Sequence, residues 1–446
     1  MASRTDPRSP TTPARKLPRI SLLPLLAVGT ALVYYFANWE RHSPFDYTMR
    51  FAQSMLQGRL GLDQPPPPWL NEMIPHHGYY YSSFPLGAVL CMIPAAVLRV
   101  AGIITTFPSA AIVAVQAGVA VVFLFRLTSL YDDKIGRRLL LASFPLFGTW
   151  VLCNLAYGGA WQIALGFALL GQAGALYFVL VDRRPLIAGL FFAIAYGNRT
   201  EVILTAPVFL YFLLRPTGAT PSGCGQIAHA IKLREAPRSS AIFRLGAAER
   251  VAYVIKTQAP AALRFLIIPF LLGTCTLAYN YARFGAMTDF GNARIPGVLM
   301  EPWYRHGIFS LGAIPANASA MLFQGWKRVP QYPYVTPGGF GGSIFLSCPL
   351  LLLLFRTRGG ARDQAIKWGS WTAIVLLTLL LWTHGNTGGW QYSYRYATVL
   401  LPWMFMILLE SGPPGWPWIE NVLFGISVAI SAWATYLFLW TPYVQP

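Results

Sequence analysis

The stretch FPLGAVLCMIPAAVLRVAGII, residues 84–104, decides how the rest of the chain is threaded. It is apolar and about as long as the roughly 20 helical residues that cross a bilayer. If it crossed, the segment RLTSLYDDKIGRR (126–138) would fall outside and every later loop would invert. Charge counting decides between the two threadings. With residues 1–19 inside and 84–104 lying in the interface without crossing, the cytoplasmic side holds 23 of the 34 Lys and Arg residues and the far side 11. That bias is the one expected of a membrane protein, whose cytoplasmic loops keep the basic residues.

Composition places the whole chain in the same class. Of 446 residues, 55% are hydrophobic and only 11% charged, where a soluble protein carries roughly a quarter. Apolar runs fall at 20–38, 107–127, 139–155, 161–181, 185–197, 201–214, 263–281, 342–356, 369–383, 396–410 and 420–440. Continuous apolar runs favour helices over the alternating strands of a closed barrel, and lipid admits no other spanning structure. The expectation is an all-α polytopic transmembrane protein of about eleven spans, N-terminus inside and C-terminus outside. Residues 1–19 form a cytoplasmic tail and 20–410 a transmembrane core; 411–446 hold the last turn and the C-terminal span. The first apolar run lacks a small-residue cleavage site and reads as a signal anchor. Outer loops cover 39–106, 282–341 and 383–397. The basic loop 215–262 is cytoplasmic and weakly structured. The formal charge of +18 therefore belongs to the membrane's inner face and not to a nucleic-acid partner. Five cysteines without a CxxC pair give neither a disulfide framework nor a zinc site.

The outer loops hold the candidate chemistry. In HSPFDYTMRFAQSMLQGRLGL, beginning at His42, the residues Phe45, Met49, Ala52 and Leu56 share one helical face, and Asp46, Arg50, Gln53 and Gln57 another. This is an amphipathic helix of the kind that lies flat on a membrane. Ser43, Pro44 and Asp46 fit its N-cap, N1 and N3 positions. Asp46 suits both a helix cap and a catalytic carboxylate. Further on, Glu72, His76 and His77 lie within six positions, ahead of Tyr79 and Tyr80 in HHGYYYSSFPLGAVL (76–90). With Asp46 they could hold a divalent cation such as Mg or Mn through oxygen and nitrogen, although the spacing matches no known metal motif. Tyrosines at this height also suit an aromatic belt. Arg199 stands at the outer end of one span and Arg395 at the outer start of another, flanked by Tyr392, Tyr394 and Tyr396. An arginine fork suits a phosphate at the lipid boundary; a snorkelling anchor has the same sequence signature. No Walker loop, GxGxxG after a strand or GxSxG is present.

The order of these features resembles a family. An acid on an interfacial helix follows the first span. GYYYSSFPLGAVLCMIP comes next, then YNYARFGAMTDFG (279–291) and GGWQYSYRYATVLLP (388–402). The chain is similar in layout, over about 20–410, to the GT-C superfamily of membrane glycosyltransferases. It resembles bacterial relatives of the protein O-mannosyltransferases and of the lipid A aminoarabinose transferase. The resemblance implies juxtamembrane helices in the first outer loop that do not cross. It implies a hexosyl or pentosyl transferase of the bacterial inner (plasma) membrane, moving a sugar from a polyprenyl-phosphate donor to an acceptor hydroxyl, with inversion. The acceptor would be a glycan, a lipid or a protein. Asp46 would be the general base, and Arg395 and Arg199 would bind the donor phosphate. His76, His77, Tyr79, Tyr80, Glu72, Trp390 and Tyr394 would line the substrate site, with Trp69 a further stacking surface. Many such relatives carry a second acid in the next outer loop. NLAYGGAWQIAL (154–165) has none, which leaves Asp289 and Glu301 as substitutes. The competing classes are a transporter or lipid flippase, which would place charges mid-span, and an envelope scaffold.

Overall fold

A computed structural model describes residues 22–131, 133–215, 247–356 and 361–444, with 247–257 as backbone alone. The chain is mostly helical. Among the described residues, five helices are long and apolar enough to cross a membrane: Ser109–Leu130, Ala160–Leu180, Gln258–Phe284, Gln364–Thr383 and Pro417–Leu439. A sixth span arises if Ile135–Phe147 and Val151–Tyr157, bent by 48° at their junction, count as one. The other predicted spans contain shorter helical pieces, so length alone does not reach the expected eleven. Pro349, at the start of the 3-10 turn Pro349–Phe355, breaks the run at 342–356. A 3-10 turn at Arg395–Leu400 shortens the run at 396–410 to the helix Leu401–Glu410. Most of the basic loop 215–262 lies outside the described residues. From Ala247 the chain is already helix, continuous to Phe284.

The stretch that opened the sequence reading forms two short helices, α3 (Leu86–Leu90) and α4 (Ile93–Val100), after α1 (Leu22–Phe36) and α2 (Tyr47–Leu56). Pro94 has no amide hydrogen to continue the ladder from Leu90, so the run breaks at Cys91–Met92. Neither piece approaches the length of a crossing. Val97, Leu98, Val100 and Ile103 are exposed apolar residues on this segment, and Ala96 faces inward. α3 meets the end of the helix Pro185–Asn198 backbone to backbone: a Cβ on Gly87 would lie 2.5 Å from Gly197. That close approach fixes the segment 84–104 against the segment that carries Arg199.

α2 begins at Tyr47, three residues later than the capping pattern predicts. Asp46 occupies the N-cap position but makes no capping hydrogen bond, because Arg50, one turn on, takes its carboxylate. The HHGYYY stretch is a hairpin of β1 (Ile74–His76) and β2 (Tyr79–Tyr81), closed by His77 and Gly78, both at positive φ. Two such residues make the hairpin turn whose twist matches the strands. Leu62 adds a bridge to Tyr80.

At the opposite end of the helices, ion pairs and a hydrogen bond tie four segments together. Arg137 reaches Asp133 (2.6 Å) and Glu420 (2.9 Å), Arg362 reaches Asp133 (2.6 Å), and the Tyr131 hydroxyl donates to Glu410 at 2.6 Å. Several of the basic residues counted for topology are therefore also structural clamps.

Candidate active site

The segment 391–400 is held rigidly before it presents Arg395. Its strand Gln391–Tyr392 runs parallel to Phe340–Gly341. Buried Asn154 imitates a further strand: its amide nitrogen donates to the Tyr392 carbonyl (2.8 Å) and its oxygen accepts from the Tyr392 amide (3.1 Å). Trp150 donates to Thr398 (3.1 Å) and Gln172 to the Val399 carbonyl (3.1 Å). Ser393 sits at φ +55° with its hydroxyl on the Gly342 carbonyl (3.1 Å). A non-glycine residue in that region persists only where its surroundings over-determine it.

Arg395 is 5% exposed, yet no carboxylate lies within ion-pair distance of it among the described residues. One nitrogen donates to the Trp390 carbonyl (3.2 Å), and the buried Nε has no partner. A buried cation is normally paired. Arg199, by contrast, is satisfied by Glu201 at 2.7 Å. Both guanidinium groups lie over Tyr396, at 5.3 and 4.8 Å from its ring centroid, which is cation–π distance.

Glu72 is the acid that feels Arg395. The indole of Trp161 donates to its carboxylate at 2.8 Å. Burial holds the Glu72 carboxyl above its ordinary value; the Trp161 bond and the Arg395 charge draw it back, and Glu301 pushes it up. Trp161 is itself packed by Tyr47, Phe45 and Phe84 at centroid distances of 5.0, 5.4 and 6.1 Å. Tyr304 belongs to the same neighbourhood: burial, then Tyr396, Glu301 and Glu72, push its phenol well up.

Asp46 has a different environment. It is 5% exposed, with Arg50 Nε at 2.6 Å and Arg99 at 3.9 Å. Its carboxylate thus joins α2 to α4. The four residues considered for a cation do not converge: no group of three His, Cys, Asp or Glu side chains with metal-site geometry occurs among the described residues. His76 packs on Phe284 (6.0 Å) and lies near Arg294 and Asp289, which pair at 2.6 Å. The hairpin therefore carries His76 and His77 to the end of the long helix, away from Glu72. Tyr79 is exposed and Tyr80 half-buried on that hairpin. Tyr394 is fully buried with its hydroxyl on the Leu381 carbonyl (3.2 Å), a packing role. Trp390 packs on Phe438 (5.3 Å) and Phe340 (5.8 Å). Exposed Trp69 donates to the Pro44 carbonyl (3.3 Å).

Three site residues escaped sequence reading. Trp161 and Tyr304 had no signal beyond their type. His384 stands in the segment 383–397 and packs on Tyr396, Phe309 and Tyr304 at 5.5, 5.6 and 5.8 Å. Its Nδ1 lies 2.9 Å from the Asn386 carbonyl. A carbonyl only accepts, so Nδ1 carries the hydrogen and Nε2 keeps its lone pair. Burial holds the His384 pKa below its ordinary value, and the charges of Arg199 and Arg395 add to this.

Fold and site together define a helical membrane protein with a cationic, aromatic-walled site at the loop ends of its helices. No family model matches the chain, and no curated protein does. Solved structures similar to it include an oligosaccharyltransferase of Archaeoglobus fulgidus in the apo form, at 14% identity and a TM-score of 0.38. The oligosaccharyltransferase AglB of the same organism, in complex with an inhibitory peptide and a dolichol-phosphate, gives the same values. Each alignment covers 94% of this chain and 55% of the other, so the chain spans about half their length.

Proposed function

We propose that the chain is an integral-membrane glycosyltransferase of GT-C type that moves a hexosyl or pentosyl group from a polyprenyl-phosphate donor to an acceptor hydroxyl, with inversion. The observation that carries this reading is Arg395. A buried guanidinium without a carboxylate, and with an unpartnered Nε, is a site prepared for an anion. Tyr396 presents both Arg395 and Arg199 to it. The eleven segments then act as spans, several of them broken, with this site on the outer face.

In the reaction, the acceptor oxygen attacks the anomeric carbon from the face opposite the phosphate. The bond from that carbon to the phosphate oxygen breaks, and its electron pair leaves with the lipid phosphate. Arg395 and Arg199 stabilise the charge that develops there. The hydroxyl proton passes to Glu72. A carboxylate whose pKa is raised toward the working pH is a better base than an ordinary one, and Glu72 shares the electrostatic neighbourhood of Arg395. Asp46, the base implied by resemblance, is held by Arg50 and Arg99 and acts by positioning α2. A phosphate leaves without protonation, so one carboxylate suffices, unlike the pair used in glycoside hydrolysis. The test is release of free polyprenyl phosphate from a labelled polyprenyl-phosphate sugar by the purified protein. Release that depends on acceptor and disappears in Glu72→Gln is the expected result; transport of intact donor without release identifies a flippase.

A further inference from the structure

A cleft of about 250 Å³ lies beside the site, lined by Asn38, Trp39, Glu40, Phe45, Tyr157 and Leu439, among others. We infer that it is the acceptor subsite and that its ligand is a neutral sugar, presenting one hydroxyl to the reaction; this rests on the glycosyltransferase reading above. Its size is just below the roughly 300–1,000 Å³ of pockets for drug-sized molecules, which suits a single ring and not a peptide segment.

The lining has the two chemistries a sugar ring needs. Trp39 is 72% exposed and offers an indole face, while Phe45 and Tyr157 lie stacked with centroids 6.2 Å apart. Aromatic faces bury the C–H side of a ring. Glu40 supplies the polar partner. Its backbone amide donates to Asn38 Oδ1 (3.0 Å), and the Asn38 amide nitrogen is anchored on the Ala156 carbonyl (2.9 Å). Its carboxylate, however, has no cation within ion-pair distance among the described residues, and the neighbouring Arg41 turns to the rings of Phe36 and Tyr35 at 4.8 and 5.3 Å. An unpaired carboxylate at the mouth of the cleft can accept from two adjacent hydroxyls. With no cation in the lining, the cleft disfavours an anionic acceptor.

The cleft also connects to the site. Phe45 belongs to the ring stack that ends on Trp161 and Glu72. Tyr157, Phe438 and Leu439 are shared with a second, smaller cavity bounded by Gln162, Trp390 and Gln391. In it the side-chain oxygens of Gln162 and Gln391 are buried without partners, as is Arg395 Nε close by. Polar atoms left open in this way imply a polar ligand or water between cleft and cation.

The experiment uses the full chain in nanodiscs, with methyl glycosides of glucose, galactose, mannose and arabinose as probes, read by saturation-transfer NMR. A serine-containing peptide and undecaprenyl phosphate are measured in parallel. At least one glycoside binds saturably, and either W39A, which removes the stacking face, or E40Q, which removes a charge-assisted hydrogen bond, weakens it by about tenfold without changing undecaprenyl-phosphate binding. No saturable glycoside binding, binding indifferent to both substitutions, or competition by the peptide for the cleft would overturn the inference. Glycoside binding without any undecaprenyl-phosphate binding would instead overturn the reading of the Arg395 site.

Discussion

The indole nitrogen of Trp161 donates to the Glu72 carboxylate across 2.8 Å, joining a buried helix to the loop ahead of the β1–β2 hairpin. The bond favours the charged carboxylate, so Trp161→Phe raises the Glu72 pKa further. The acidic limb of the pH–rate profile then moves to higher pH while the plateau rate changes less. An unmoved limb would separate Glu72 from the proton transfer.

Glu72 also makes stability depend on pH. Its folded pKa lies above the ordinary 4.5. Its contribution is therefore fully present below that value and is lost as pH rises through the elevated folded one. Glu72→Gln removes this part of the slope in thermal unfolding measured across the range.

His384 acts in the opposite sense. Its folded pKa lies below the ordinary 6.5, so its stabilising contribution is present above 6.5 and is lost as pH falls through the depressed value. His384→Gln keeps an acceptor and flattens the acid side of the melting curve. A histidine C2-proton titration at or above 6.5 would contradict the cationic setting assigned to this ring.

Asp46→Asn leaves Arg50 and Arg99 facing a neutral amide. About 1–3 kcal/mol of stability is lost, as for a hydrogen bond to a charged group, and the double substitution with Arg50→Gln loses less than the two single changes added together. Turnover falls through displacement of α2, and the pH limb set by Glu72 stays in place. Abolished turnover in an Asp46→Asn protein of unchanged stability would return the base role to Asp46.

Much of the helical layout was legible because apolar runs and prolines act locally. Pro94 breaks the run 84–104 whatever surrounds it, and Arg395 announced itself as a charge at a span boundary. The capping pattern at Ser43–Asp46 misled because a distance-dependent competitor, Arg50, captures the carboxylate once the helix forms. Glu72 and His76 seemed neighbours in sequence, yet Glu72 sits in a turn held by Trp161 while the hairpin points His76 toward Phe284. Trp161, Tyr304 and His384 gave no signal because ring packing and a fixed tautomer exist only after distant segments meet.

The central claim is that Arg395 is an anion site and not a structural ion pair. Its most direct test is undecaprenyl-phosphate affinity, by native mass spectrometry, of the wild type and Arg395→Ala. Affinity is expected to be weaker by about 10- to 100-fold, the value of a charge-assisted bond, with melting temperature little changed because no carboxylate partner is orphaned. Equal affinity in the two proteins, or a large loss of stability without loss of binding, would contradict it.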